Sequence, residues 1–308
     1  MNPINTRKAL QDIENLKVSE IYDRISLATY SCGKDMVREV LEDWLHFLGG
    51  RPNQVIFTVS PATGAPPIYE ELRKEGKIDR IIGIEPNGRL VGQIDAEAVR
   101  VVVEAAPTEW VLLIKLDTLP YRSGHASWLA DAMEVIERYG LFGMTGASWP
   151  DPKQLPLEPG YVVTQKFSNN FALFRRAEWL QVNDQTLGEE SGSNLAAHPQ
   201  FSGNDLRYLN EHVIECYLEK TGKKNLMKLE SLDWSVSHVN VWGEALRKVR
   251  ISYIERKGVK RFLNSGQPRQ LPRHPWQKYY GFPPPTVSKR LRIFFGRWRR
   301  NLYRHCNS

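Results

Sequence analysis

Residues 109–124 read EWVLLIKLDTLPYRSG. From Trp110 to Leu116 the chain is apolar except for Lys115, the mark of a strand buried on both faces. The run stops at Asp117, followed by Thr118, Leu119 and Pro120. A carboxylate where a buried strand surfaces needs a reason. In an open parallel sheet, ligands bind at the carboxyl ends of the strands. Asp117 therefore holds a metal, a ribose or a backbone turn, and the rest of the chain has to choose.

Upstream, residues 23–34 (DRISLATYSCGK) read as a strand entering a polar turn, and Met36, Val37, Val40, Leu41, Trp44 and Leu48 then recur at helical spacing until Gly49-Gly50. Residues 53–67 are a second strand with a Gly/Pro-rich loop, 68–77 a short helix, 79–88 a third strand and 95–106 a helix stopped before Pro107. Beyond the opening stretch, residues 125–140 are helical and close on Gly140, and 141–148 form another strand. Alternation of strand and helix from 23 to 148 is the signature of parallel βαβ units with right-handed crossovers.

After residue 148 the pattern changes. Residues 149–161 are a proline-rich loop, 161–176 one or two antiparallel strands, 177–182 the start of a short helix and 183–203 a long polar loop. A helix begins at Ser202, with a capping-box-like Ser202-x-x-Asp205, and ends near Gly222. Strand character returns over 225–242, then a last short helix.

Composition narrows the classes. With 308 residues and 41% hydrophobic content the chain builds a sizeable core. Cys32, Cys216 and Cys306 are far apart, which excludes a disulfide scaffold and a cysteine zinc site and suits a reducing compartment. Residues 1–20 alternate charged and polar groups, against a signal peptide. No run approaches the roughly 20 apolar residues of a spanning helix. The net charge of +7 belongs to residues 286–308, which hold Lys289, Arg290, Arg292, Arg297, Arg299, Arg300 and Arg304 and no acid. The body is neutral, so no nucleic acid is expected as a partner. No GxGxxG follows the first strand, and there is no GxxxxGK[ST], GxSxG or HExxH.

The order of elements, and four stretches within it, resemble the GT-A-fold nucleotide-sugar glycosyltransferases of the family-two class over residues 23–245. SLATYSCGK matches the strand and loop that cradle the donor base, which implies contacts from Thr29, Tyr30 and Ser31; Ser60 stands near the place of the family's base-binding aspartate. LLIKLDTLPYR matches the strand end that carries the family's Asp-x-Asp metal motif, with Asp117 kept and Leu119 replacing the second carboxylate. Two carboxylates there hold a hard cation that neutralises the leaving diphosphate, so the resemblance implies Mn2+ or Mg2+. SNNFALFRRAEW matches the acceptor region, which implies sugar or phosphate contacts from Asn169, Asn170 and Arg175; an Asn-Asn turn explains the same residues. In YLNEHVIECYLEKTGKK the spacing to Gly222 puts Glu211 at the position of the family's general base. A helix begun at Ser202 would leave Glu211 more than two turns inside, on a solvated face, and make Asp205 the alternative.

In DWSVSHVNVWG, His238 takes the place of a C-terminal histidine that completes the metal shell in several such enzymes, between Trp234 and Trp242 as sugar platforms. A structural strand histidine and two core tryptophans are the plainer reading.

The resemblance implies an α/β fold of GT-A type, Rossmann-like, with a mostly parallel sheet flanked by helices. Residues 1–22 are an extension, 23–148 the nucleotide-sugar-binding half, 149–263 the acceptor and catalytic half, and 264–308 a linker and basic amphipathic tail. The expected activity is transfer of a sugar from a UDP- or GDP-linked donor to a carbohydrate or lipid-linked hydroxyl. A nucleotidyltransferase and a non-catalytic nucleotide- or sugar-binding protein are the alternatives. In the tail, Leu291, Phe294, Phe295, Trp298 and Leu302 share one helical face with arginines around it. That suits an anionic membrane surface and implies a cytoplasmic enzyme held on the inner face. Packing against the body and RNA binding are the competing uses.

Overall fold

The computed structural model describes residues 20–30, 36–59, 65–84, 91–122, 128–146, 155–189, 209–228, 234–238 and 243–254. Eleven strands and seven helices are built from them. The strands are β1 (Ile25–Thr29), β2 (Gln54–Val59), β3 (Arg80–Gly83), β4 (Trp110–Ile114), β5 (Thr118–Arg122), β6 (Gly143–Thr145), β7 (Leu155–Glu158), β8 (Tyr161–Thr164), β9 (Phe171–Arg175), β10 (Asn225–Lys228) and β11 (Trp234–His238). The helices are α1 (Val37–Leu48), α2 (Pro67–Lys74), α3 (Val91–Ala105), α4 (Trp128–Arg138), α5 (Arg176–Glu189), α6 (Leu209–Thr221) and α7 (Gly243–Ile254).

Nine strands form one sheet in the order β3-β2-β1-β4-β9-β6-β10-β8-β7. The first four are mutually parallel, as the βαβ alternation requires. β9 is antiparallel to both β4 and β6 and lets the sheet continue into its second half. The result is a mixed α/β architecture with a large, mostly parallel central sheet flanked by helices.

β4 is buried on both faces because its side chains alternate between two apolar layers. Trp110, Leu112 and Ile114 join the layer under α1 and α4. Val111 and Leu113 join the layer with residues of α3, α5 and α6. The first layer is centred on aromatic rings: Phe47 lies 4.6 Å from Trp128, and Trp128 lies 5.1 Å from Trp234, centroid to centroid. Indole N–H groups tie it to the backbone, Trp128 to Phe47 O at 2.9 Å and Trp44 to Thr118 O at 3.0 Å. α1 ends on Gly49 at φ 83, a left-handed cap that a side chain would strain.

Three elements differ from the sequence reading. Residues 118–122 form β5, because the chain after Asp117 finds an antiparallel partner in β11. β7 lies inside the proline-rich stretch, at the sheet edge where proline's missing N–H is tolerated. α5 runs 14 residues, well past the short helix expected.

Candidate functional site

The site is assembled where β4 stops. Thr29 of β1 pairs with Ile114 in the parallel register, so the two strands end side by side. Past Ile114 the chain turns sharply: Lys115 N–H donates to Asn170 O at 3.1 Å, and Thr118 N–H donates back to Lys115 O at 2.9 Å. Asp117 sits inside this turn, fully buried. Its oxygen Oδ1 has no hydrogen-bond partner among the described residues.

β5 leaves the turn and pairs with β11, and the last rung of that ladder sets His238 opposite Thr118. This register brings together residues 121 positions apart. His238 Nε2 lies 3.1 Å from Asp117 Oδ2. In one histidine tautomer Nε2 donates to that oxygen, and in the other it presents a lone pair.

Glu211 reaches the same edge from α6. It stands in the first turn of the described helix, not on a solvated face. It is mostly buried, and its Oε1 accepts the Asn169 N–H at 2.6 Å. Desolvation pushes its carboxyl up to about 8, against the pull of that amide, with the like charge of Glu215 adding to the rise; Lys115 and Ser168 act in the other direction.

The Asn169–Asn170 turn joins the two carboxylates. Asn169 holds Glu211 through its amide, while Asn170 O accepts both the Lys115 N–H and, at 3.1 Å, the Thr118 hydroxyl. Asn170 also donates its side-chain Nδ2 to Ser168 Oγ at 3.2 Å. Asn169 Oδ1 is buried and has no partner among the described residues.

Other expected residues fall elsewhere. Arg175 is at the far end of β9, about 13 Å of strand below Phe171. Its guanidinium lies 4.7 Å over the Trp110 ring and donates to Glu137 at 3.2 Å. It is not part of the acceptor region, because β9 runs away from the carboxyl edge. Trp234 is 1% exposed, inside the aromatic layer, with the Lys228 ammonium 5.4 Å over its ring. It is core and no sugar platform, since β11 turns it onto Phe47 and Trp128. Thr29 and Tyr30 stand at the correct edge but are buried, Tyr30 among Ala28, Ile56 and Ile84. Leu119 is fully buried in the first apolar layer. Ser31, Ser60, Asp205 and Trp242 lie outside the described residues, as does the tail.

Lys115, Thr118, Ser168 and Glu215 were not singled out from the sequence. Glu215 had a signal, since it stands one helical turn from Glu211.

Among the described residues no group of three or more His, Cys, Asp and Glu is arranged to hold a metal ion. The Asp117–His238 pair fits part of such a site. Two ligands at about 2.1 Å on adjacent corners of a coordination shell stand about 3.0 Å apart, and a buried, unpartnered carboxylate oxygen is the donor a hard cation needs.

Two surface clefts lie at the opposite, amino edge, one around Thr108, Arg176 and Lys223 and one around Thr164, Lys166 and Lys224. In the first, Lys223 is paired with Glu178 at 2.5 Å and Arg176 with the Val103 and Glu104 carbonyls.

No protein-family model and no curated protein matches the chain. Solved structures do. S. aureus TarS 1-349 is 14% identical, over 68% of this chain and 59% of that one, with TM-score 0.38; in complex with UDP-GlcNAc the values are 13%, 73%, 60% and 0.41. The mannosyltransferase PcManGT from Pyrobaculum calidifontis, in complex with GDP-Man and Mn2+, is 15% identical over 51% of this chain and 46% of that one, TM-score 0.37. A UDP-glucose pyrophosphorylase complexed with UDP-glucose is 9% identical over 70% and 93%, TM-score 0.39. The chain spans about three fifths of the TarS length it matches.

Proposed function

We propose that this chain is a glycosyltransferase that moves a sugar from a UDP- or GDP-linked donor to a hydroxyl of a carbohydrate or lipid-linked acceptor. One observation carries the reading. Asp117, His238 and Glu211 come from three separate elements, and the Asn169–Asn170 turn is hydrogen-bonded to the elements carrying both carboxylates. That edge is where an open α/β sheet takes a ligand.

In this mechanism Asp117 and His238 face the donor diphosphate. Glu211 takes the proton of the acceptor hydroxyl onto its carboxylate. The acceptor oxygen bonds to the anomeric carbon as the bond from that carbon to the diphosphate oxygen breaks, with inversion. A carboxyl raised to about 8 is a strong enough base for a hydroxyl and is half ionised near that pH. A divalent cation would be held by Asp117 and His238 and would neutralise charge on the leaving group.

The donor side is tested by calorimetric titration with UDP, GDP and their sugars, with and without Mn2+. Micromolar binding of a nucleotide sugar, followed by release of the nucleoside diphosphate, supports transfer. Binding without turnover leaves a binding protein, and pyrophosphate release from a nucleoside triphosphate and a sugar phosphate makes the chain a nucleotidyltransferase.

Among the described residues no helix is long and apolar enough to cross a membrane. Attachment to the cytoplasmic face is assigned to residues 286–308, whose basic residues each contribute about 1 kcal/mol at an anionic surface. Deleting them should abolish sedimentation with anionic liposomes and spare transfer to a short soluble acceptor. Unfolding of the truncated chain would show that the tail packs on the body.

A further inference from the structure

α6 carries two carboxylates one turn apart, and both reach the same neighbouring segment. Residues 165–170 run antiparallel to the helix. The Asn169 N–H meets Glu211 Oε1 at 2.6 Å, the Phe167 N–H meets Glu215 Oε1 at 3.2 Å, and the Gln165 side chain donates to Leu218 O at 3.3 Å. The match is geometric. Glu211 and Glu215 stand at i and i+4, one helical turn apart on the same face, and catch alternate amides of the segment.

Glu215 is bound on both oxygens. Its Oε2 receives the Lys166 ammonium at 2.6 Å, in a pair whose side chains are 25% and 20% exposed. The segment is also pinned from the sheet: Asn225 Nδ2 donates to Lys166 O at 2.8 Å, and Ser168 N–H to Thr145 Oγ1 at 2.8 Å.

We propose that Glu215, held by Lys166, is a positioning residue for Glu211: it fixes the segment whose amide grips the Glu211 carboxylate, and it sets a negative charge against that carboxylate. The proposal rests on the reading of Glu211 as the base. The groups facing Glu211 are Glu215 on its own helix, Lys115 from the turn after β4, and Ser168 and Asn169 from the segment. Desolvation is the main reason that Glu211 is a stronger base than an ordinary carboxylate, and among the facing groups Glu215 is the one whose charge adds to that rise.

Carbon-13 carboxyl NMR on the full chain, with Glu211→Gln assigning the signal, tests this. In Glu215→Gln the midpoint of Glu211 should fall by about 0.5–1 pH unit, and the acid limb of the pH–rate profile should move down with it. An unmoved midpoint in a folded Glu215→Gln protein overturns the proposal. Glu215→Asp keeps the charge but shortens the reach. It should hold the midpoint near that of the unsubstituted chain while the Asn169 amide exchanges on the order of 10-fold faster as that part of the segment loosens. Unchanged protection of Asn169 overturns the positioning role, and this second variant decides the matter if Glu215→Gln does not fold. Full transfer by Glu211→Gln would remove the base reading alone, because the NMR titration would still report the coupling.

Discussion

The two edges of the sheet use the same residue types to opposite ends. At the amino edge, charges are paired at the surface, some exposed and some half-buried. Arg24 meets Glu109 at 2.8 Å with both side chains nearly half exposed, Arg175 meets Glu137, and Lys223 meets Glu178. At the carboxyl edge, polar groups are buried and incompletely satisfied. Asp117 has one oxygen without a partner among the described residues, Asn169 Oδ1 has none, and Glu211 is held with its carboxyl near 8. Met36, in the left-handed region at φ 67, is the one non-glycine residue among those described with positive φ, and it stands at this edge where α1 begins. Exposed pairs contribute little to stability. Buried, unpartnered polar atoms cost stability, and among the described residues the amino ends of the strands carry them too, at Gln54 Oε1, Trp110 Nε1 and Asn225 Oδ1; what sets the carboxyl edge apart is the raised Glu211 carboxyl close to the buried Asp117–His238 pair.

The comparison breaks first at Glu211. Glu211→Gln should lower transfer by about 10²–10⁴-fold and leave donor affinity within error in a calorimetric titration, because a base acts on the acceptor. A variant that transfers normally removes the distinction between the edges. Asp117→Asn should lower turnover on the order of 100-fold, with a melting temperature within a few degrees of the parent. Retained turnover would reduce Asp117 to the cap of its turn.

A third test uses pH. Glu211 is raised from 4.5 to about 8 on folding. Below about 4.5 both folded and unfolded states carry the proton and no penalty exists. Between 4.5 and 8 only the folded state keeps it, so stability contributed by this group falls as pH rises. Glu211→Gln keeps an acceptor for the Asn169 amide and removes that penalty. Thermal denaturation should show the variant more stable at pH 8, on the order of 4 kcal/mol, and indistinguishable near pH 4. The opposite trend would mean that the carboxylate is stabilised as an anion. The smallest effect belongs to the amino edge. Arg24→Ala should cost less than about 1 kcal/mol and leave turnover unchanged. A loss of activity there would place function at both edges.

Much of the first half of the fold was legible in local pattern. The apolar run into Asp117 and the helix closed by Gly49-Gly50 both stand where periodicity and punctuation put them. β5 escaped because a five-residue strand containing a proline has little pattern of its own, and its existence depends on β11, more than a hundred residues later. Arg175 and Trp234 were misplaced for a related reason. Composition marks a residue as suited to a sugar or phosphate without saying which end of a strand it occupies or which side of a ladder it faces.

What the sequence by itself determined is local: which segments are strands or helices, which faces are apolar, and where a carboxylate interrupts a buried run. Those follow from periods of 2 and 3.6 residues and from the chemistry of glycine and proline, all of which act within a few residues. What only the tertiary structure decided is adjacency. The β5–β11 register sets His238 beside Asp117, and the 165–170 segment against α6 sets Asn169 on Glu211 and Phe167 on Glu215. Such contacts join residues tens to more than a hundred positions apart, and their register is set when two elements bury a common face, which local periodicity does not encode.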